Sequence, residues 1–325
     1  MAATDLTLPE TVALPATVAS LVEAAEGYVR AAKADNTRRA YAAAWQDFAA
    51  WCAQHGVPAL PAAPATVGFY LTDRARTLKV PSLRLRLVAI RQAHALAGHR
   101  LETTAPEIAE TFKGVVRTHG TAPAKKEAAT VEIVRDAARE LAKLSGLRPL
   151  RDRALLLLGF AAALRRSEIV ALNVSDITFG PDGAVVTLRR SKTDQAGQGT
   201  ELGIPHGGND LTCPVRALRA WLEAAGITAG AVFRGVNKAG RLADSRLSDR
   251  AVALLVKAAV AGAGYDAAAF GGHSLRAGFC TSAARAGGAE AHIQAQSRHK
   301  SLPVLRGYIR RGGLFNDNAA GRVGL

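Results

Sequence analysis

Cysteine is scarce. Cys52, Cys213 and Cys280 are far apart, odd in number and form no CxxC pair. Such a set cannot build a disulfide framework, so a reducing, cytosolic compartment is expected. Long apolar runs are missing too. None approaches the roughly 20 residues that span a bilayer, so no membrane-spanning segment is expected. The opening "MAATDLTLPE" has an early acid and no basic stretch, so no signal peptide is expected. Aromatic residues are only 5% of the chain and alanine is abundant, which favours helices over sheets. There is no internal repeat. Metal-ligand spacing of the HExxH or CxxC type is also missing. His273, His292 and His299 are therefore a poor zinc set, and no metal or cofactor is expected.

Acidic residues are outnumbered. The 27 Asp and Glu against 42 Lys and Arg leave a net charge of +15. A surplus this large argues for a polyanionic partner, either a nucleic acid or an acidic membrane surface. The 325 residues suffice for two domains, and 49% apolar residues suffice for their cores.

Residues 1–17 read as a loose leader, and residues 18–118 as a helical bundle. "NTRRAYAAAWQDFAAWCAQHG" predicts a helix capped by Asn36 and closed by Gly56, with Tyr41, Trp45, Phe48 and Cys52 at helical spacing. "PATVGFYLTDRARTL" predicts a second helix starting at Pro64. "SLRLRLVAIRQAHALAG" predicts a third, capped by Ser82 and stopped by Gly98, with Leu83, Leu87, Ile90 and His94 on one face. "PEIAETFKGVVRTHG" predicts a fourth. Residues 119–130, "HGTAPAKKEAAT", read as a solvated linker.

The second domain, 131–311, opens on a helix capped by Thr130. A long apolar helix is then expected through "RDRALLLLGFAAALRRSEIVAL". "ITFGPDGAVVTLRRSK" carries the one convincing β signal, a turn at Asp182-Gly183 between two β-prone runs, and "GTELGIP" can add a third strand. The remainder reads as helical. The fold class is thus mainly α in two domains: a helical bundle and an α-rich domain with a small three-stranded sheet.

Four segments of the second domain carry reactive groups. "ALRRSEIVAL" offers Arg165, Arg166 and Glu168. "RRSKTDQAGQG" puts Lys192 where a strand gives way to a Gly-rich loop. "GGHSLRAG" sets His273 and Arg276 one helical turn apart. "SRHKSLPVLRGYIRR" ends with His299 and Tyr308. Singly, each has a bland explanation as a surface or packing residue. Together they supply what attack on a phosphodiester needs without a metal. Two guanidiniums can grip the non-bridging oxygens, a phenol can attack phosphorus, and Lys192 or a histidine can protonate the leaving oxygen.

The order Arg, Lys, His-x-x-Arg, His, Tyr resembles the tyrosine recombinase (phage integrase) family over roughly residues 150–312. The helix "NTRRAYAAAWQDFAAWC" and the ending "GYIRR" look most like Cre-type members. The resemblance implies catalytic roles for Arg165, Lys192, His273, Arg276, His299 and Tyr308, with Glu168 in support. It departs from the family at Arg298, where glycine is usual, and at Ala163, where glycine or a similarly small residue is common.

The resemblance also implies a C-shaped clamp on double-stranded DNA and strand exchange between inverted-repeat sites through a 3′-phosphotyrosine. Neither metal nor ATP is used. A homotetramer, with a dimer on each site, would carry it out in the cytoplasm on nucleoid DNA. Arg84, Arg86 and Arg91, on the third helix, and Lys125 and Lys126, in the linker, are the expected DNA contacts, to phosphates or to bases. In the tail, 312–325, Gly312 and Gly313 read as a hinge. Phe315, Ala319 and Val323 form one stripe, and the resemblance implies docking of this tail on a neighbouring subunit. A type IB-like topoisomerase and a non-catalytic DNA-binding regulator on the same fold are the alternatives.

Overall fold

The computed structural model describes residues 28, 35–120, 126–189, 199–314 and 323. The chain divides into two compact units between Ala124 and Lys125.

The first unit packs α1 (Asp35–Gln54), α2 (Pro64–Ala75), α3 (Val80–Leu96) and α4 (Pro106–His119). Ala44, Phe48, Trp51 and Cys52 form the buried stripe of α1. Their spacing of three and four is the helical period that puts side chains on one face. Phe48 and Trp51 meet Tyr70 of α2 edge-on, at centroid distances of 5.0 and 5.6 Å. Helix α3 starts three residues earlier than the sequence suggests. Lys79 precedes it and Pro81 sits in its first turn, where a fixed φ and a missing N–H are harmless. Ser82 therefore lies inside the helix and caps nothing. The predicted apolar face holds: Leu83, Ile90 and His94 are buried. His94 Nε2 accepts from the Ala62 N–H at 2.8 Å, and Nδ1 lies 2.8 Å from the Ile90 carbonyl. This buried imidazole is a structural strut between α3 and the loop before α2.

The second unit begins inside the expected linker. The Glu127 and Ala129 N–H groups donate to the carbonyls of Ala269 and Ser274, so these residues belong to the second unit and not to a solvated connection. Helix α5 (Val131–Ala142) follows. Thr130 precedes it without a side-chain cap bond. The first N–H is taken instead by Ser282 Oγ, at 2.9 Å.

The predicted long helix is broken. Helix α6 (Leu147–Ala161) ends, and a short α7 (Arg166–Ala171) restarts after a turn. Ala163 in that turn has φ +47°, a left-handed conformation that a residue with a Cβ adopts at a cost of roughly 1–2 kcal/mol. Helix α6 is apolar on nearly every side, with Leu155, Leu156, Leu157 and Leu158 all buried. A helix of that kind belongs at the centre of a domain, and here it anchors the main core cluster.

Strands β1 (Ile177–Phe179), β2 (Gly183–Leu188) and β3 (Thr200–Pro205) form the predicted antiparallel sheet in that order. Then come α8 (Pro214–Ala224), β4 (Arg234–Val236), β5 (Leu242–Arg246), α9 (Asp249–Gly262), α10 (Ser274–Arg285), α11 (Glu290–Ser297) and α12 (Leu302–Gly312). The β4–β5 hairpin corrects the expectation that the remainder is helical. Its strands are short and rich in Arg, Asp, Gly and Ser, so they carry no β signal.

Gly312 is also reassigned. It is not a hinge but the last residue of α12, buried so close to α10 that an added Cβ would lie 2.3 Å from the Thr281 carbonyl oxygen. Glycine is required there for the two helices to approach.

Candidate active site

The break between α6 and α7 builds the first part of the site. It turns Arg165 into the residue that precedes α7. The Glu168 carboxylate reaches back to accept from the Arg165 N–H at 2.8 Å through Oε2, and from the Arg165 guanidinium through Oε1. Carboxylates are favoured in the first turn of a helix, where backbone donors lack partners. Glu168 is buried. Burial pushes its carboxyl up, but Arg298, the Arg165 N–H and the Arg165 guanidinium outweigh it and hold it below the usual carboxylate range.

Helix α10 supplies the second part. His273 is exposed and stands at its N-terminal boundary. Arg276 lies one turn further in and is buried, with Nη1 donating to the Ala163 carbonyl at 2.7 Å. Its Nη2 is buried without a hydrogen-bond partner among the described residues. Burial, then the nearby Arg165 and Arg298 cations, push Arg276 down to about 10. The strained Ala163 turn is thus the place where the Arg276 side chain is tied to the Arg165 loop.

The third part comes from α11, α12 and the loop between them. His299 is half-buried, with Nδ1 2.8 Å from Ser297 Oγ. Its ring centroid lies 5.9 Å from that of Tyr308. Burial and the Arg276, Arg165 and Arg298 cations push the His299 imidazole down to about 4, so it is neutral at physiological pH. Tyr308 is partly buried on α12 against the cluster of Cys280, Ala284, Ile293 and Leu305, which fixes its ring while leaving the residue accessible.

The structure therefore brings Arg165, Glu168, Arg276, His299 and Tyr308 into one neighbourhood. Lys192 lies outside the described residues. The end of β2, two residues before the undescribed stretch, is anchored by Arg189, which pairs with Asp176 and donates to Ser175 Oγ at 2.9 Å. Among the described residues no three His, Cys, Asp or Glu side chains gather as metal ligands.

The expected DNA contacts differ in how they are held. Arg84 is exposed, its guanidinium 5.7 Å from the centre of the Phe112 ring. Arg91 is exposed beside a groove that also includes His99 and Arg100. Arg86 faces inward and pairs with Asp47 at 3.6 Å, in a network with Arg74 and Tyr70. Lys126 donates to the Ala268 carbonyl, and Lys125 lies outside the described residues. One side chain was missed. Arg298, noted in the sequence only as a departure, enters the same neighbourhood and pairs with Glu168 at 2.9 Å.

Comparison with known proteins bears on this arrangement. The sequence profile of the phage integrase family matches residues 132–312. An integrase/recombinase xerD homolog of Selenomonas ruminantium is 41% identical over 297 residues, covering 90% of this chain and 86% of its own. Among solved structures, a lambda integrase dimer bound to a COC′ core site superposes with a TM-score of 0.60 at 17% identity, over 91% of this chain and 78% of its own. XerH site-specific recombinase bound to a palindromic difH substrate gives 0.56 at 17% identity, over 80% and 71%. Those two likenesses concern the fold. The family is carried by the profile, which spans most of the second unit, and by the 41% identical relative: the chain belongs to the phage integrase family.

Proposed function

We propose that the protein is a site-specific DNA recombinase that cuts and rejoins DNA through a 3′-phosphotyrosine, with Tyr308 as nucleophile. The observation that carries this reading is the gathering of Arg165, Arg276, His299 and Tyr308 from four separate segments of the second unit. Arg165 and Arg276 grip the non-bridging oxygens of the scissile phosphate and offset the charge that grows on them. The phenol attacks phosphorus, and a neutral His299 accepts its proton. The 5′-oxygen departs and takes a proton from Lys192. In the second half, a 5′-hydroxyl of the partner strand attacks the phosphotyrosine and releases Tyr308. One phosphoester bond is exchanged for another at each step, so the sequence needs no ATP.

The net charge of +15 supports double-stranded DNA as the partner, and predicts an affinity that falls steeply with salt. The exposed Arg84 and Arg91 are the better placed of the expected DNA contacts on α3, because Arg86 would first have to leave Asp47. The narrower likeness to Cre-type members rests on the helix through residues 36–52 and the ending "GYIRR" alone. Sequencing the DNA that the purified protein selects from a random pool tests the reading. An inverted repeat around a short spacer is expected, and selection without any shared sequence would count against it.

Lys192→Ala is expected to slow cleavage, because the departing alkoxide loses its proton donor. A 5′-thio leaving group needs little protonation. It should rescue Lys192→Ala far better than Arg165→Ala or Arg276→Ala. Equal rescue of all three would remove the separate role of the lysine.

The tail beyond Leu314 lies, Val323 apart, outside the described residues. We place it on a neighbouring subunit of a tetramer formed across two sites. Truncation after Gly313 is expected to leave half-site binding intact while abolishing cooperative filling of the full site and recombination. Gel-shift titration checks this, and undiminished cooperativity would contradict it.

A further inference from the structure

Arg298 stands where the family resemblance leads one to expect glycine. Its backbone is left-handed, with φ +54° and ψ +41°, at the C-terminal end of α11. Glycine fills such positions because it has no Cβ to clash. The turn is thus the one a glycine would make, yet a long side chain has been placed on it.

That side chain turns inward and is 8% exposed. Its Nη2 pairs with Glu168 Oε2 at 2.9 Å and lies 3.2 Å from the Ala163 carbonyl. Its Nη1 donates to the carbonyls of Ala162 at 3.1 Å and Gln296 at 2.7 Å. A single guanidinium therefore joins the end of α11, the break between α6 and α7, and the buried carboxylate that orients Arg165. The next residue in the chain is His299. The planar fork of arginine suits such a multiple bridge, which an ammonium could not reproduce.

We propose that Arg298 is a positioning residue for strand cleavage, locking the His299 loop to the Arg165 loop through Glu168 so that both hold fixed places around one phosphate. A glycine would supply the same turn without the cross-link. The inference rests on the reading of Arg165 and His299 as parts of the site.

A second consequence is electrostatic. Among the described residues, His299 is faced by Arg276 on α10, Arg165 before α7, Ser297 and Arg298 at the end of α11, and Tyr308 on α12; Glu168 pairs with Arg165 and Arg298, and Cys280 lies against Ser297 and Arg276. Within this described set three guanidiniums meet one carboxylate. Each cation disfavours the imidazolium, so deleting the Arg298 charge lets His299 take up a proton at a higher pH. Arg165 and Arg276 cannot be used for this test because the proposed phosphate grip needs them.

The test uses the full chain without DNA. The His299 ring is followed by NMR on histidine-labelled protein, assigned by its loss in His299→Gln. In the wild type it should remain neutral down to about pH 4. In Arg298→Gly its titration should move up by about one pH unit, the order expected for removing one nearby charge from a partly buried site. Arg298→Lys keeps the charge and should titrate near the wild type.

Cleavage is measured in parallel, as single-turnover adduct formation on DNA selected from a random pool. Arg298→Gly should be slower by at least about tenfold, by analogy with losing a positioning contact, with half-site binding within about twofold. Arg298→Lys should fall between, because it restores charge without the fork. An Arg298→Gly protein that melts cooperatively, titrates His299 like the wild type and cleaves at the wild-type rate overturns the proposal. Should Arg298→Gly not fold, Arg298→Lys decides: slower cleavage with an unchanged His299 titration supports the cross-link, and wild-type cleavage overturns it. A wild-type protein that forms no adduct would instead sink the functional reading. The NMR comparison would still decide whether Arg298 acts on His299.

Discussion

Tyr308→Phe is expected to bind the same DNA as the wild type and to form no covalent adduct with it. The substitution removes one oxygen and keeps the ring. The ring packs with Cys280, Ala284, Ile293 and Leu305, so the fold loses little; losses from a partly exposed hydroxyl stay near about 1 kcal/mol or below. The charge that binds DNA lies in other residues, so affinity should hold. The reaction, however, loses its only proposed nucleophile. Denaturing gels of a nicked suicide substrate read the effect directly: a shifted band in the wild type and none in the variant. An adduct that persisted in Tyr308→Phe would mean that another residue attacks.

Arg276→Ala is expected to lower the rate of adduct formation by roughly 100-fold or more, the scale of losing one donor that faces developing negative charge, about 2.7–4 kcal/mol. Arg165→Ala should lose as much. Both variants should keep much of their stability, because Arg298 still serves the group that each leaves behind. Arg165 is one of two cations holding the buried Glu168, and Arg298 remains when it is removed. The destabilisation should therefore fall short of the roughly 3–5 kcal/mol that a fully orphaned buried charge costs. Arg276 makes its described bond to the Ala163 carbonyl, which Arg298 also serves. Single-turnover rates beside thermal melts separate the two effects. A rate within tenfold of the wild type in either variant would contradict the phosphate-gripping role.

Much of this architecture is legible in the sequence because it obeys simple periods. The helices of the first unit follow from apolar residues spaced by three and four, and β1–β3 from β-prone runs around a Gly turn. The reactive set is legible in its order along the chain. What the sequence hides is how the parts are joined. The break after Ala161 is invisible because Ala-Ala-Ala-Leu is good helix sequence. The turn depends on Ala163 adopting φ +47°, which tertiary contacts enforce. The role of Arg298 is hidden for the same reason. Read alone, it is a charged residue where a small one is usual, and its meaning appears only once Glu168 and the carbonyls of Ala162 and Ala163 surround it. The short β4–β5 hairpin leaves no mark in the sequence because its pairing comes from the surrounding fold and not from its residues.

The central claim is that Tyr308 becomes joined to the 3′ end of the cut strand. Protease digestion of the trapped wild-type adduct, followed by mass spectrometry, tests it most directly. The account predicts a nucleotide attached through a 3′-phosphate to the peptide containing Tyr308, with a free 5′-hydroxyl on the released strand. Attachment at any other residue, or through a 5′-phosphate, would contradict it.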